Sequence, residues 1–330
     1  MKPKELKRFL SFAFSNRENV LIKGKPGIGK SDIVEQASKD ANAELIISHP
    51  VVSDPTDYKG MPFQDGKKAD FLPFAELNRI IEADTPTIFF LDDLGQASPS
   101  VQAACMQLLL ARRINNFKVS DHVTFVAATN RKEDKAGVSG ILEPVKSRFA
   151  SIVELNVNTD DWCEWAVNND MPHELVSFLR FRPDLLDKDI PASKDIVNNA
   201  SPRTVAALGR LHRKGVPVDL RFEAFKGSAG EGFASEYIAY LSLYTKLPTF
   251  DQIVSSPTSI DMPSDPALLY ALSGLVSSRA DVKNIDILMT FIERMPVEMQ
   301  VATIKNMATG SLMSTKPMAG WFIKNSSVFI

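Results

Sequence analysis

The chain has 330 residues, a length typical of about two domains, and 44% of them are hydrophobic, which suits a well-buried globular core. Its formal net charge of −2 and pI of about 6.1 give no global electrostatic reason to expect nucleic acid or an anionic membrane as a partner, although local basic patches stay open. The two cysteines, Cys105 and Cys163, lack the spacing of metal ligands, and such sparse cysteine usage fits a reducing, cytoplasmic setting.

The sequence begins with a basic and apolar stretch, MKPKELKRFLSFAF. It has neither a long apolar core nor a cleavage site of small residues, so we interpret it as an amphipathic first helix rather than a signal peptide. No stretch approaches the roughly 18 apolar residues of a membrane-spanning helix, and we expect no membrane span.

Strand-like and helix-like patterns alternate as far as Leu155. Short apolar or β-branched runs, typical of strands buried on both faces of a sheet, occur at Val20–Lys23, Glu44–Ser48, Thr87–Leu91, Val123–Ala128 and Ile152–Leu155. Helical patterns lie between them at Ser31–Ala41, Pro73–Ala83 and Ser98–Ala111. This alternation predicts an α/β fold with a doubly wound parallel sheet, in which a ligand binds at the carboxyl ends of the strands.

A glycine-rich segment, GKPGIGKS, follows the first predicted strand and precedes a helical pattern. It fills every fixed position of the phosphate-binding pattern G-x-x-x-x-G-K-[ST], whose glycines let backbone N–H groups point into one concavity at a helix N-terminus. We therefore expect Lys30 to reach the β- and γ-phosphates of a nucleotide and the Ser31 hydroxyl to bind Mg²⁺. The residues expected to hold the nucleotide are Gly24, Pro26, Gly27, Ile28, Gly29, Lys30, Ser31 and Asp32. The alternative is a plain turn between a strand and a helix.

Two inserts interrupt the alternation. Turn formers dominate Asp54–Leu72, which we interpret as a loop with a hairpin about Asp65-Gly66. In Arg113–Val119, β-prone residues flank two asparagines, which indicates a second, smaller hairpin.

Polar side chains follow two of the predicted strands. Asp92 and Asp93 stand at the tip of Thr87–Leu91, where we assign Asp92 to magnesium and Asp93 to orienting or deprotonating an attacking water. Asn130 follows Val123–Ala128 closely, and its amide can hydrogen-bond both a γ-phosphate oxygen and that water. Alternatively, the acidic pair caps a turn or a helix, and the asparagine caps a turn.

Two arginines are candidates for contacting the γ-phosphate from more distant parts of the chain. Arg148, in KSRF before the last predicted strand, is a candidate arginine finger that reaches a neighbouring subunit's γ-phosphate. Arg203, in SPRT at the start of a predicted helix, is a candidate for contacting phosphate across a domain cleft. The alternatives are an ordinary surface salt bridge for Arg148 and a solvent-exposed helix start for Arg203.

The composition changes after Leu155, where strand-like runs end and helical patterns continue to the C-terminus. Prolines mark a looser connector at Leu247–Pro266.

Five segments occur in the order of a known family. GKPGIGKS, FFLDD, AATN, KSRF and SPRT resemble the Walker A, Walker B, sensor 1, arginine-finger and sensor 2 motifs of the AAA+ ATPases, over about residues 15–215. DYKGMP and the stretch after FFLDD resemble the MoxR-type branch. The resemblance implies a P-loop AAA+ nucleotide-binding α/β domain at 1–157, an all-helical lid at 158–215 and a helical C-terminal extension at 216–330.

The resemblance also implies a biochemical activity. It implies that the protein binds and hydrolyses ATP with Mg²⁺ as a homo-oligomeric ring, usually a hexamer, in which neighbouring subunits share each active site. It further implies work on a protein client, often beside a partner with a von Willebrand factor A domain.

The sequence departs from the family at Asp93, where Walker B usually has glutamate. Aspartate keeps the charge but is one methylene shorter, and a misplacement of about 1 Å costs on the order of a hundredfold in rate. We therefore expect slow hydrolysis and intact nucleotide binding. Two alternatives stay open: a slowly hydrolysing, ATP-gated scaffold, and a nucleic-acid motor or loader, against which the near-neutral charge argues. The best basic contacts of a motor would be Lys67-Lys68 and Arg112-Arg113, which we interpret first as solvated hairpin residues.

Overall fold

The computed structural model describes residues 1–134, 140–188, 195–307 and 312–325. The chain divides into two compact units, Met1–Asn158 and Thr159–Ile330. Within the described ranges, every helix is too short or too polar to cross a membrane.

The first unit is built on a parallel sheet accompanied by two small hairpins. Its strands are β1 (Val20–Lys23), β2 (Glu44–Ser48), β3 (Met61–Asp65), β4 (Lys68–Leu72), β5 (Thr87–Leu91), β6 (Arg113–Ile114), β7 (Phe117–Lys118), β8 (Val123–Thr129) and β9 (Ser151–Glu154). The large sheet has the order β2-β5-β8-β1-β9 and is parallel throughout. The antiparallel hairpins β3–β4 and β6–β7 lie in the two inserts, where the sequence predicts them.

Helices connect the strands of the sheet. The α-helices of this unit are α1 (Pro3–Asn16), α2 (Lys30–Asp40), α3 (Ala75–Ile81), α4 (Pro99–Ala111) and α5 (Glu143–Lys146). Short 3-10 helices lie at Pro50–Val52, Pro55–Tyr58, Leu94–Gln96 and Lys132–Asp134. Helix α2 begins at Lys30, within the glycine-rich segment and directly after Gly29, as the phosphate-binding pattern requires.

Both faces of the sheet are covered because its inner strands are apolar on both faces. In β5, Phe89 and Leu91 pack with α3 and α4, whereas Ile88 and Phe90 pack with α1 and α2. Phe89 also meets Phe125 of β8 edge to face, with ring centroids 6.0 Å apart. Burial of alternate side chains on opposite, helix-covered faces is the packing of a doubly wound sheet. The predicted α/β fold class is therefore confirmed.

Two strands differ by a residue from their predicted bounds. Strand β9 is Ser151–Glu154 instead of Ile152–Leu155, although the Leu155 backbone N–H still donates to the Lys23 carbonyl oxygen at 2.9 Å. Strand β8 extends to Thr129, because that residue pairs with Lys23 at the end of β1. The carboxyl ends of these central strands therefore meet at one edge of the sheet.

The second unit is helical wherever the structure describes its secondary structure. Its α-helices are α6 (Thr159–Asn168), α7 (His173–Phe181), α8 (Pro202–Arg213), α9 (Arg221–Ala229), α10 (Glu231–Leu243), α11 (Phe250–Ser255), α12 (Pro266–Ser278), α13 (Ile285–Ile292), α14 (Val297–Met307) and α15 (Lys316–Lys324), with 3-10 helices at Pro183–Leu186, Val218–Leu220 and Tyr244–Lys246. Buried aromatic rings such as Phe178 and Tyr237, 5.2 Å apart, hold its first half together. Buried Trp321 belongs to a second apolar cluster formed by later helices.

The predicted loose connector at Leu247–Pro266 contains helix α11, so the prediction is wrong over Phe250–Ser255. Gln252 donates its backbone N–H to Thr249 Oγ1 at 3.3 Å, and its side-chain oxygen accepts the Thr249 N–H at 2.8 Å. This capping box and the burial of Ile253 stabilise a short helix despite the flanking prolines.

The boundary between a lid at 158–215 and an extension at 216–330 stays a prediction. Across it, Nδ1 of His212 in α8 lies 2.7 Å from the hydroxyl of Tyr237 in α10. Helices from the two sides of the proposed boundary therefore pack against each other within the second unit.

Candidate functional site

The glycine-rich segment connects β1 to α2 at the carboxyl edge of the sheet. Gly29 has a φ of +89° directly before α2, a left-handed conformation that favours glycine. A Cβ on Gly24 would lie 2.6 Å from Ile28 Cδ1 and 3.0 Å from the Leu155 carbonyl oxygen, so a larger residue does not fit there. The loop therefore leads tightly into a helix N-terminus, whose unpaired backbone N–H groups favour an anion.

Lys30 is a buried cation surrounded by oxygen atoms. Only 6% of it is exposed. Its Nζ donates to Asn130 Oδ1 at 2.7 Å and to the carbonyl oxygens of Gly24 and Lys25 at 3.0 and 2.9 Å. Burying an ammonium costs several kcal/mol unless oxygens replace its water, and three hydrogen bonds match its three donors. The loop and strand β8 thus hold the lysine in place from two sides.

Ser31 and Asp92 are in direct contact. Ser31 Oγ donates to Asp92 Oδ2 at 2.7 Å, which joins the first turn of α2 to the tip of β5. The Asp92 backbone N–H donates to the Ser48 carbonyl oxygen at 2.9 Å, which fixes this tip against β2. Mg²⁺ prefers hydroxyl and carboxylate oxygens and usually completes its shell with phosphates and water. The pair has the donor chemistry of the predicted magnesium position.

Asp93 has an unusual backbone conformation. Its φ of +57° is left-handed, which costs most residues about 1–2 kcal/mol but which aspartate and asparagine tolerate. Its Oδ1 accepts a hydrogen bond from Asn130 Nδ2 at 3.4 Å. Because the Asn130 amide oxygen accepts from Lys30, one side chain bridges the lysine and the carboxylate. The sequence placed these three residues at neighbouring strand tips, and the structure brings them together.

Arg131 belongs to this edge of the sheet but is absent from the sequence predictions. It forms ion pairs with Asp134 at 2.7 Å and Glu154 at 3.5 Å. Its hydrogen bond to Asp134 lowers the pKa of that carboxyl group below the ordinary value. The available signal was its position directly after Asn130, at a strand tip. Its partnership with Glu154 depends on the pairing of β9 with β1, which the local sequence does not contain.

The close contact between Gly95 and Thr129 is a second feature of the site that the sequence did not predict. A Cβ on Gly95 would lie 2.1 Å from Thr129 Oγ1 and 3.1 Å from Thr129 Cβ. The turn that follows Asp93 therefore packs directly on the end of β8, beside Asn130. The available signal was a glycine two residues after an acidic pair.

Arg148 makes none of these contacts. It is half-buried between α5 and β9, and its Nε is buried without a hydrogen-bond partner among the described residues. Its carbonyl oxygen accepts a hydrogen bond from Asn19 Nδ2 at 3.4 Å. Arg203 belongs to the second unit, where it is exposed in the first turn of α8. There Ser201 Oγ accepts the Thr204 backbone N–H and caps the helix.

Residues 20–157 match the family model described as "ATPase family associated with various cellular activities (AAA)". This segment is an AAA family domain. The AAA domain extends from β1 past β9 and includes the glycine-rich loop, the acidic pair and Asn130. AAA ATPases in general bind a nucleotide with Mg²⁺, hydrolyse ATP and assemble into rings, so the contacts above lie in a domain class that performs this chemistry.

Comparison with curated proteins gives no match. Among solved structures, Thermotoga maritima RuvB, described as a Holliday junction branch migration motor, is 17% identical, with 82% of this chain and 80% of that chain covered and a TM-score of 0.41. A point mutant of Thermotoga maritima RuvB is 16% identical, with 82% and 79% covered and a TM-score of 0.43.

Proposed function

We propose that the protein is a Mg²⁺-ATP-dependent ATPase of the MoxR-type branch, which works as a hexameric ring and remodels or activates a protein client. The ATPase assignment rests on the hydrogen bonds that join Lys30, Asn130 and Asp93 beside the glycine-rich loop. A plain turn between a strand and a helix would not require a buried lysine, an amide and a carboxylate from three separate elements.

The nucleotide would lie along the glycine-rich loop. Backbone N–H groups of the later part of the loop, from Gly27 to Ser31, would face its phosphates, with Asp32 in the first turn of α2. Ser31 and Asp92 would hold Mg²⁺, which when bound neutralises charge on the phosphates. The hydrogen bond between the Ser31 hydroxyl and the Asp92 carboxylate supports this proposal, because it brings the two oxygen donors together. Ion binding would replace that bond.

Lys30 must exchange partners when a phosphate binds, because its three donors already have acceptors. Two of these acceptors are backbone carbonyl groups of the loop itself, whereas Asn130 is a side chain with rotational freedom. We infer that Lys30 releases Asn130, whose amide then becomes available to a γ-phosphate oxygen and the attacking water. Phosphate binding would thus be transmitted to Asp93 through its hydrogen bond with Asn130.

Asp93 would orient or deprotonate the attacking water. Its side chain is shorter than the glutamate of the family, but the left-handed backbone changes the direction in which that side chain leaves the chain. Its contact with Asn130 shows that the carboxylate reaches the polar cluster. We expect slow but real turnover, because a general base that is misplaced by about 1 Å still acts, at a lower rate.

The two arginines would act from outside the cluster of Lys30, Asn130 and Asp93. Arg148 would act on a neighbouring subunit's γ-phosphate, and the partial exposure of its side chain, whose Nε has no hydrogen-bond partner among the described residues, supports this role. Arg203 would contact phosphate from the helical part, and its exposure in the first turn of α8 supports that proposal.

The assignment to the MoxR-type branch rests on the resemblance of DYKGMP, in the insert before α3, to that branch. Buried Tyr58 fixes this insert, since its hydroxyl lies 2.9 Å from Ser48 Oγ at the end of β2. We propose that the protein is cytoplasmic, in line with its sparse cysteines, and that it acts on a protein client beside a partner with a von Willebrand factor A domain, as the resemblance implies.

One observation weakens the nucleic-acid alternative. Arg112 is not the solvated residue that the sequence predicted: its guanidinium donates to the carbonyl oxygens of Ser120 and Val123 at 2.8 Å and lies 5.4 Å from the ring centre of Phe125. Because these contacts use the guanidinium to hold the β6–β7 hairpin against β8, Arg112 is not available to bind a phosphate backbone. Lys67-Lys68 stays exposed, so salt-dependent DNA binding lost on their substitution would favour the motor.

The test of the proposed function is ATP binding and phosphate release by the full chain. Lys30→Ala should lose ATP binding while keeping the fold, because it removes the ammonium group that the phosphate-binding pattern directs to the β- and γ-phosphates. Lys39→Ala is the matched control, since Lys39 lies on the same helix but is exposed and paired with Glu35. Unchanged ATP affinity in Lys30→Ala would refute the site assignment. ATP binding without phosphate release under assembling conditions would favour the scaffold.

A further inference from the structure

A groove of about 470 Å³ lies beside the C-terminal half of β2, in a part of the first unit that the proposed ATPase does not use. Its walls are the 3-10 helices that follow β2 and the start of α3, and it is also lined by buried Tyr58, Leu77 and Phe89. The volume falls within the range of about 300–1,000 Å³ that is typical of binding pockets.

One wall of the groove is the free edge of the sheet. Strand β2 has β5 as its sheet neighbour on one side and no strand on the other among the described residues. The Glu44 backbone N–H donates to Pro86, and the Ser48 carbonyl oxygen accepts from Asp92. In a parallel ladder this register directs the main-chain groups of alternate residues to the partner, so those of Leu45 and Ile47 point away from β5. Ile47 lines the groove, and its main-chain groups are in position to pair with another strand.

Apolar side chains that line the groove are unusually exposed. The exposed fractions are 83% for Val52, 41% for Phe74 and 39% for Ile47. These three come from a 3-10 helix, the residue before α3 and the edge strand, so the chain brings them together from separate elements. Exposed apolar groups gathered in one concave surface mark a binding site more often than they mark solvent-facing structure.

The charge of the groove is negative. Asp57 and Glu76 both line it and are both exposed, while none of the described residues that line it is lysine or arginine. One oxygen of Asp57 accepts the Asp54 backbone N–H, which holds its carboxylate in place. A cationic group on the occupant would therefore meet complementary charge.

From these features we infer that the groove binds an extended, basic peptide segment of a protein partner. The segment adds as a strand to the free edge of β2 and places an apolar side chain against Ile47, Val52 and Phe74. A lysine or arginine beside that side chain lies near Asp57 and Glu76. Main-chain pairing supplies affinity and the side-chain contacts supply specificity, as in other cases of strand addition. The inference goes beyond the proposed ATPase and does not depend on it.

The test uses a fluorescein-labelled peptide, GKVKLKVKVG, and fluorescence anisotropy with the full chain. We expect saturable binding that weakens as salt is raised, because part of the attraction is between exposed charges. The acidic analogue GEVELEVEVG should bind at least about tenfold more weakly. A peptide of the same basic sequence with all of its backbone amides N-methylated should also bind at least about tenfold more weakly, since neither of its edges can donate hydrogen bonds to β2.

Two substitutions locate the site. Val52→Asp should weaken binding of the basic peptide about tenfold or more, because it places a charge next to the apolar side chain that the bound peptide would bury in the groove. Glu76→Lys should weaken it several-fold by charge reversal. Glu223 is an exposed residue of α9, and Glu223→Lys makes the same charge change in the second unit and should leave the affinity unchanged. ATP binding should be unaltered in all three proteins, which separates this test from that of the ATPase.

Three results would overturn the inference. The first is no saturable binding of the basic peptide. The second is equal affinity in the parent and Val52→Asp proteins, which would put the peptide elsewhere. The third is a parent protein that binds no peptide and a Val52→Asp protein whose oligomer has a lower mass in solution than that of the parent. That result would show that a second copy of this chain covers the groove.

Discussion

Asn130 is the residue that connects nucleotide binding with catalysis in this account. Its amide oxygen accepts from buried Lys30 at 2.7 Å and its amide nitrogen donates towards Asp93 at 3.4 Å. This orientation agrees with the charges, since the oxygen faces the ammonium and the nitrogen faces the carboxylate. We therefore expect a change of partner at the lysine to alter the surroundings of the carboxylate through the Asn130 side chain.

Asp93→Asn should keep ATP bound and lower turnover by at least about a hundredfold, the usual contribution of a general base. Asparagine has nearly the same shape and tolerates the left-handed backbone at this position, so the fold should be unaffected. Phosphate release at saturating ATP measures the turnover, and equilibrium binding of a labelled ATP analogue measures the affinity. Equal turnover in the two proteins would remove Asp93 from the water-activating role.

At the level of elements, the turn after Asp93 and the end of β8 are packed too closely for any side chain at Gly95. Gly95→Ala would bring a methyl group to 2.1 Å from Thr129 Oγ1. We expect a loss of about 1–3 kcal/mol in the free energy of unfolding, the usual cost of overpacking, together with reduced phosphate release. The turnover should fall because the displaced elements carry Asp93 and Asn130.

Gly232→Ala is the matched control for that substitution. Gly232 lies in the first turn of α10, where an added Cβ would have no neighbour within 4 Å. Alanine there should raise stability by about 0.5–1 kcal/mol, because it favours the helix. Thermal unfolding followed by circular dichroism compares the two proteins. Equal stability changes would mean that the contact between Gly95 and Thr129 is not tight.

The helices of the second unit enclose polar groups whose protonation affects stability. Burial lowers the pKa of His212 and of His173 below the ordinary value of 6.5, outweighing the nearby Glu174 carboxylate, which raises the pKa of both. His212 Nδ1 also lies 2.7 Å from the hydroxyl of fully buried Tyr237. Both histidines are therefore harder to protonate in the folded protein than in the unfolded chain.

We expect the second unit to become less stable as the pH falls from about 7.5 to about 5.5. The unfolded chain takes up protons first, near pH 6.5, so protonation favours unfolding in this window. The lowered pKa values of Asp134 and Glu154 act only below about pH 5. Urea unfolding followed by tryptophan fluorescence measures this unit selectively, because Trp162, Trp165 and Trp321 all lie in it.

His212→Gln is the informative variant for this pH dependence. Glutamine keeps a polar partner for the Tyr237 hydroxyl but does not titrate. Its free energy of unfolding should change less between the two pH values than that of the parent. An identical pH dependence in the two proteins would assign the effect to other groups.

The sheet was predictable from the sequence because its strands are short apolar runs that stand out from helical patterns. Val20–Lys23, Glu44–Ser48 and Thr87–Leu91 have the predicted bounds. Helix α11 was not predictable from prolines alone, because it depends on a capping box and on the burial of one isoleucine. Periodicity indicates which elements exist, whereas their ends depend on hydrogen bonds with distant residues.

The candidate site was predictable to the extent that strand tips define it. The placement of Lys30, Asp93 and Asn130 at one edge of the sheet follows from the predicted parallel sheet, whose strands have their carboxyl ends at the same edge, and from the glycine-rich pattern. The contact of Gly95 with Thr129 and the ion pairs of Arg131 depend on packing distances and on the β9 register. No local sequence pattern predicts these contacts, so only the folded structure shows them.

The proposed reaction needs more than one copy of the chain. The AAA domain contains the loop, the acidic pair and Asn130, whereas Arg148 makes none of their contacts. If Arg148 serves a neighbouring subunit, the catalytic unit is an interface, and activity per chain should rise with protein concentration.

The most direct measurement is phosphate release by mixtures of two inactive proteins. Arg148→Ala should bind ATP almost normally and hydrolyse it about a thousandfold more slowly, and Lys30→Ala should not bind it. When the two co-assemble, some interfaces pair an intact phosphate loop with an intact arginine, so turnover should recover in part. Two results would contradict this mechanism. One is a mixture that shows no gain in turnover despite confirmed co-assembly, and the other is strong hydrolysis by the dilute monomeric protein with an activity per chain that does not depend on its concentration.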